Sequence, residues 1–227
     1  MLIPILISVT ILLLSYLLGS IPTGYLIGKY SKGIDIRDYG SGSTGATNVL
    51  RTLGKTAGAT VLLIDMLKGM AAVALARGLY FIDVNLLPES WYYWLIIGAA
   101  LGAIIGHSKS IFLNFSGGKS VATSLGVLLV MNPLVACGTL ASFLVILALF
   151  RIVSLGSIIG ALVVNILMIV LGQPLPYILF SLMGGIYVIV RHQGNIKRLL
   201  AGTEPKIGQK VQPSSELGYS VSSTDEV

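Results

Sequence analysis

Residues 2–19 read LIPILISVTILLLSYLLG, without one charged side chain. As a helix, at 1.5 Å per residue, this run would be about 27 Å long, close to the thickness of a bilayer's hydrocarbon core. A secretory signal would open on a basic residue, but the first one here is Lys29, and no small-residue cleavage site follows. The run therefore reads as a transmembrane helix that is kept. Six further apolar stretches follow between residues 57 and 190. Hydrophobic residues make up 55% of the 227 positions and charged residues 11%. Soluble domains carry about 25% charged residues, and disordered chains need low hydrophobicity, so both classes are excluded. The expected fold is an all-α integral membrane protein, a seven-transmembrane-helix bundle over residues 1–202. Beyond Gly202 the chain turns polar, and residues 203–227 read as a loosely ordered cytoplasmic tail.

Lysine and arginine set the orientation. Counting connections from the first helix, one set holds Lys29, Lys32, Arg37, Arg51, Lys55, Lys109, Lys119, Arg151, Arg191, Lys197, Arg198, Lys206 and Lys210. The other set holds only Arg77, and Lys68 falls inside a helix. That asymmetry puts the N-terminus outside and the C-terminus in the cytoplasm. The net charge of +6 is scattered between apolar spans, which points to anionic lipid headgroups and not to nucleic acid. Trp91, Tyr92, Tyr93 and Trp94 read as an interfacial belt on the outer side. Gly98, Gly102 and Gly106 recur every four residues, a face against which another helix can pack closely.

Three polar islands interrupt the apolar chain, and on this topology all face the cytoplasm. The first is YGSGSTGATNVLR, Tyr39–Arg51. It contains a literal G-x-G-x-x-G at Gly40, Gly42 and Gly45, with Asp65 twenty positions on. A dinucleotide site would need a buried strand before the glycines, and KGIDIRDY is not one. The hydroxyls of Ser41, Ser43, Thr44 and Thr47, with Asn48 and Arg51, instead suit a phosphate nest. The second island is GHSKSIFLNFSGGKSVATS, Gly106–Ser124. It fails as a P-loop, because Leu113 stands where the first glycine belongs. Gly117-Gly118-Lys119 opening an apolar helix remains an anion site, two glycines admitting close backbone approach. The third, RHQGNIKRLLAGTE, Arg191–Glu204, sets His192 and Asn195 three apart beside Arg191 and Arg198. Asp65 and Lys68 are three apart within a helix, where an unpaired charge costs about 2.5–3.5 kcal/mol by insertion scales, so they read as a structural pair.

Absences narrow the chemistry. No H-x-x-x-x-D pattern exists, since Phe112 follows His107 by five and Lys197 follows His192 by five. Cys137 stands alone in an apolar run, and no Cys/His cluster suits zinc, so neither metal nor cofactor is expected. Such an enzyme relies on positioning, electrostatics and a group already activated.

Together the islands resemble the bacterial acyl-phosphate:glycerol-3-phosphate acyltransferases, the PlsY family, over about residues 10–205. GSGSTGATNVLR, GHSKSIFLNFSGGKSVAT and RHQGNIKRLLAGTE match its three motifs in order. Four residues depart: Ser43 replaces Asn, Ser110-Ile111 replaces Pro-Val, and Ser116 replaces Lys. The resemblance implies transfer of a fatty acyl chain from acyl phosphate to the 1-hydroxyl of glycerol 3-phosphate, giving lysophosphatidate and phosphate. It implies a multi-pass protein of the bacterial inner membrane with its site facing the cytoplasm, served by a soluble enzyme that makes acyl phosphate from acyl carrier protein. On this reading Ser41, Arg51, Lys119, His192 and Asn195 are catalytic. Gly40, Gly42, Ser43, Thr44, Asn48, Gly117, Gly118 and Ser154 hold substrate or phosphate. The alternative is a transporter of an organic phosphate, which would draw on polar groups near the midplane, namely Asp65, Lys68 and Asn165.

Overall fold

The computed structural model describes residues 2–82 and 87–209. Among these the chain is helical, with ten α-helices: α1 Leu2–Ser20, α2 Thr23–Lys32, α3 Ala46–Leu53, α4 Lys55–Ile82, α5 Tyr92–Ser108, α6 Val121–Met131, α7 Pro133–Phe150, α8 Val153–Val170, α9 Leu175–Arg191 and α10 Gln193–Leu200. Seven of them (α1 and α4–α9) lie on the seven apolar stretches of the sequence. By length and composition four segments can cross a bilayer: Leu2–Lys32, Lys55–Tyr80, Pro133–Phe150 and Val153–Val170. The pair α9–α10, bent by 60°, is a fifth if it counts as one span. Asp83, Lys210 and the tail from 210 onward lie outside the described residues.

Helix contact depends on residues small enough to let backbones meet, since lipid gives apolar side chains no reason to leave it. On α1 and α5 the contact is reciprocal. A Cβ on Gly19 would overlap the carbonyl of Ala103, and one on Gly106 the carbonyl of Tyr16. The four-residue glycine repeat of α5 thus finds its partner in α1. The same device joins α4 to α6, where Gly69 lies against the Thr123 carbonyl and Gly126 against that of Met66. Between these pairs sits the core, with Ile96, Ile104, Val127, Val73 and Met168 almost fully buried. Of the expected aromatic belt, Tyr93 and Trp94 are exposed. Tyr92 and Tyr93 stack edge-on with Tyr80 and Tyr177.

One detail of the bundle recesses the site. Asn132, in the turn between α6 and α7, donates from Nδ2 to Gln173 Oε1 (2.8 Å) in the turn between α8 and α9. These two turns therefore share a level. From it α9 climbs 17 residues, about 25 Å, before it ends, whereas α6 runs 11 residues, about 16 Å. The loop ahead of α6 drops into the difference, with Ser120 buried and donating to Ile104 O (2.7 Å).

The glycine contacts predict a selective effect on stability. Gly126→Ala forces a methyl into the Met66 main chain and should lower unfolding stability in detergent by about 1–3 kcal/mol. Gly78→Ala, on α4 with nothing within 4 Å of its added Cβ, should be neutral or slightly stabilising. Thermal unfolding of both purified variants checks this.

Candidate active site

The first island is organised by Asn48, which is 2% exposed on α3. Its Nδ2 donates to the carbonyls of Ile36 (3.1 Å), Tyr39 (3.0 Å) and Ser43 (2.8 Å), and its Oδ1 accepts the Ser41 N–H (2.9 Å). One carboxamide thus ties four backbone positions into a fixed loop. Gly40, at φ +59°, has no room for a Cβ beside that Oδ1. Asn48, expected to meet phosphate, lines the cavity described below while its hydrogen bonds hold the loop. Gly40, Gly42 and Thr44 shape this loop too and do not line the cavity described below. Ser41, Ser43, Thr47 and Arg51 do.

In the second island Lys119 lines the cavity, while Gly117 and Gly118 do not. The glycines admit His107: a Cβ on Gly117 would overlap its carbonyl, and one on Gly118 its ring. The close approach expected from the sequence is made to His107, to its carbonyl by Gly117 and to its ring by Gly118. Arg191 closes the other side of this turn, donating to the carbonyls of Gly117 (3.4 Å) and Gly118 (3.1 Å).

The third island carries the hub. Glu204, with its side chain 3% exposed, accepts at Oε1 from Ser154 Oγ (2.7 Å) and Asn195 Nδ2 (2.5 Å). Its Oε2 pairs with Arg198 Nε at 2.7 Å. Fixing Nδ2 on Glu204 turns Asn195 Oδ1 to the Lys119 ammonium, 2.5 Å away. Arg51 reaches the same strap, donating to Pro205 O (3.1 Å), and its buried Nε has no partner among the described residues. The strap is also held by Arg151, whose carbonyl accepts the Ile207 N–H (2.8 Å). A tail boundary at residue 202 consequently cuts too early, because Glu204 belongs to the site. Its signal in the sequence was being the sole acid of a basic island. His192, at the α9–α10 break, donates from Nδ1 to Val188 O (2.7 Å), which leaves Nε2 as the ring's acceptor.

Electrostatics follow from this packing. Burial pushes the Lys119 ammonium down to about 8; Glu204 opposes the shift, and Arg198, Arg191 and Arg51 add to it. For Glu204, burial alone would raise the carboxyl. Hydrogen bonds from Ser154, Asn195 and Arg198, with the Arg198 charge, hold it below the usual carboxylate range.

Residues from all three islands open into one cavity of about 740 Å³. Ser41, Arg51, Lys119, Ser154, His192, Asn195 and Glu204 form its polar end. Its remaining walls are largely apolar, from Leu62, Leu63, Leu125, Leu128, Phe143, Val164 and Phe180. Ser154 and Val164 both line it from α8, ten residues apart, so it runs about 15 Å along the bundle. The groups expected near the midplane are paired within the fold, although Asp65 also lines the cavity. Asp65 pairs with Lys68 (2.8 Å), and Asn165 bonds Ala161 O (2.8 Å) and Ser181 Oγ (3.0 Å).

The model of the glycerol-3-phosphate acyltransferase family matches residues 9–202. The chain belongs to this family. Among relatives named glycerol-3-phosphate acyltransferase, that of Rippkaea orientalis is 65% identical over 211 residues, covering 92% of this chain and 97% of the relative. That of Synechocystis is 57% identical over 208 residues, covering 91% and 94%. Two crystal structures of PlsY, an integral membrane glycerol 3-phosphate acyltransferase, are 37% identical to this chain. The glycerol 3-phosphate form aligns with a TM-score of 0.81 over 88% of this chain and 96% of that one. The lysophosphatidic acid form aligns at 0.78 over 88% and 95%. The protein is thus a helical integral membrane member of this acyltransferase family, as its three islands suggested.

The hub makes a prediction about Glu204. Glu204→Ala leaves Arg198 and Asn195 without their acceptor and should lower unfolding stability by about 1–3 kcal/mol. Glu204→Gln keeps an acceptor for Ser154 and should recover part of the loss. Thermal unfolding in detergent of both variants checks the order; a Glu204→Ala protein as stable as wild type would contradict it.

Proposed function

We propose that this protein transfers a fatty acyl chain from acyl phosphate to the 1-hydroxyl of glycerol 3-phosphate, releasing lysophosphatidate and phosphate. The observation that carries the reading is a cationic pocket continuous with a 15 Å apolar groove in a single cavity. That shape suits an amphiphile with a phosphate head and an alkyl tail. Family membership and two solved relatives, in glycerol 3-phosphate and lysophosphatidic acid forms, support the same reading.

In the proposed step the acceptor hydroxyl oxygen attacks the acyl carbonyl carbon. The new ester C–O bond forms as the bond to the phosphate oxygen breaks, and phosphate departs with that electron pair. The hydroxyl proton passes to the departing phosphate. No acyl-enzyme is needed, because a mixed anhydride is already activated. Arg51 and Lys119 stabilise charge that grows on the leaving group, donors set in place beforehand being worth most where water is excluded. Asn195 and His192, through Nε2, orient the acceptor hydroxyl. Ser41 and Ser43 serve as phosphate donors at the mouth, and Ser154 fixes Glu204. The groove between α4, α6, α7, α8 and α9 takes the tail, each buried methylene contributing about 0.8 kcal/mol.

We further propose that the seven core helices all cross the bacterial inner membrane, with the N-terminus outside and the site facing the cytoplasm. There a soluble enzyme would supply acyl phosphate. Cysteines placed at the exposed positions Glu89 and Gln209, in a Cys137→Ala background, should label from outside and from inside respectively; labelling of both from one side would overturn the topology.

The test of activity is the purified protein given acyl phosphate and glycerol 3-phosphate, with lysophosphatidate as the readout; uptake of glycerol 3-phosphate into sealed vesicles without product would favour transport instead. Lys119→Ala should lower turnover by about 10² or more, as for loss of one preorganised donor. Lys119→Arg should also be impaired, since a planar guanidinium does not replace a compact ammonium facing Asn195. Lys109→Ala, in the same loop but exposed, should stay active.

A further inference from the structure

The second island leaves a buried pair unused by the mechanism. Asp65, on α4, is 1% exposed, and its Oδ1 meets Lys68 Nζ at 2.8 Å and Thr23 Oγ1 at 3.0 Å. Lys68 is itself tied to the Ile21 carbonyl (2.8 Å). The carboxylate is therefore locked from α2 and α4 before it faces His107. His107, on the last turn of α5, is 6% exposed and sets Nδ1 3.5 Å from the same Oδ1. That nitrogen has no hydrogen-bond partner among the described residues and faces the Asp65 carboxylate. The opposite edge of the ring is the floor of the Gly117-Gly118 turn. A Cβ on Gly118 would overlap Nε2 and come within 3.0 Å of Cε1 and 3.1 Å of Cδ2. The His107 carbonyl also accepts the Gly118 N–H (3.2 Å). With Arg191 on the carbonyl side of the turn, the backbone is clamped one residue before Lys119.

We propose that His107, oriented by Asp65, is a positioning residue for Lys119, and that Gly118 is glycine to seat the turn on the imidazole. The proposal rests on the acyl-transfer reading for its activity readout. A merely structural ion pair between Asp65 and His107 would lower the amount of folded protein and leave the kinetics of what folds unchanged. A positioning role makes a kinetic prediction, because the fit between ring and glycine is steric. The added methyl of Gly118→Ala is harmful only while the ring is there.

The test is a double-mutant cycle on purified, folded protein, reading kcat and KM for glycerol 3-phosphate. Gly118→Ala and His107→Ala should each lower kcat/KM by about tenfold or more. The double variant should be no worse than His107→Ala alone. Gly117→Ala is the control, since its methyl would meet the His107 main-chain oxygen, which no side-chain truncation removes; its loss should persist beside His107→Ala. If His107→Ala does not fold, His107→Asn lacks the Nε2 edge, stays polar beside Asp65, and serves in its place. Additive losses at 107 and 118, or wild-type kinetics in His107→Ala, would overturn the proposal. Should the wild type form no lysophosphatidate, the acyl-transfer reading fails by itself. The same four proteins are then compared by calorimetric binding of glycerol 3-phosphate, where the same non-additivity is expected and additivity again overturns it.

Discussion

The hydrogen-bonded contact between Glu204 and the groups from α8 and α10 governs the site, because four cations converge there within an apolar bundle. Arg51 comes from the first polar island, Lys119 from the second, and Arg191 and Arg198 from the third, and these cations repel one another; two unit charges 4 Å apart near a protein surface interact by about 4 kcal/mol. Glu204 offsets this from the centre, taking Arg198 on one oxygen and Ser154 and Asn195 on the other. Because Asn195 donates to Glu204, its carbonyl oxygen is left to face Lys119. A single carboxylate thereby sets both the charge balance and the direction of the amide beside the ammonium.

The bundle makes that cluster reachable from an apolar groove. Glycine contacts draw α1 onto α5 and α4 onto α6, and the shortness of α6 lets the Lys119 loop sink between them. Arg191 and His107 hold the loop at that depth from opposite sides. On the proposed function, substrate charge and substrate tail would meet at this junction, where partial exclusion of water strengthens each electrostatic contact.

Much of this was legible in the amino-acid sequence because hydrocarbon imposes a strong pattern. The run 2–19 and six further stretches mark the seven core helices, and Asp65 and Lys68 pair as their spacing requires. Arg51, Lys119, Ser154, His192 and Asn195, distant in sequence, do meet at one cavity. The short helices α2, α3 and α10 were not legible, since eight to ten polar-rich residues hold a helix only through tertiary partners. Glu204 was hidden for a related reason. Its burial depends on Ser154, fifty residues earlier, so standing as the sole acid of a basic island marks the residue without showing that it is buried. Asn48 and the Gly117-Gly118 pair show the expected hydrogen-bonding capacity and close approach, which the fold directs to the loop backbone and to His107. Hydrogen-bonding capacity and close approach show in residue type, but the group approached is set by the fold.

The central claim is that a partly desolvated Lys119 ammonium holds the substrate's phosphate charge, and the pH dependence of kcat/KM for glycerol 3-phosphate tests it most directly. Burial places this group at about 8, so it is charged below that pH and neutral above it, and the favourable interaction is lost as pH rises. The profile should bend downward at about pH 8 and then fall tenfold per pH unit. In Lys119→Arg, whose guanidinium stays charged throughout, the plateau should be lower and that bend should vanish. A wild-type profile flat to about pH 10, or an identical bend in Lys119→Arg, would contradict the account.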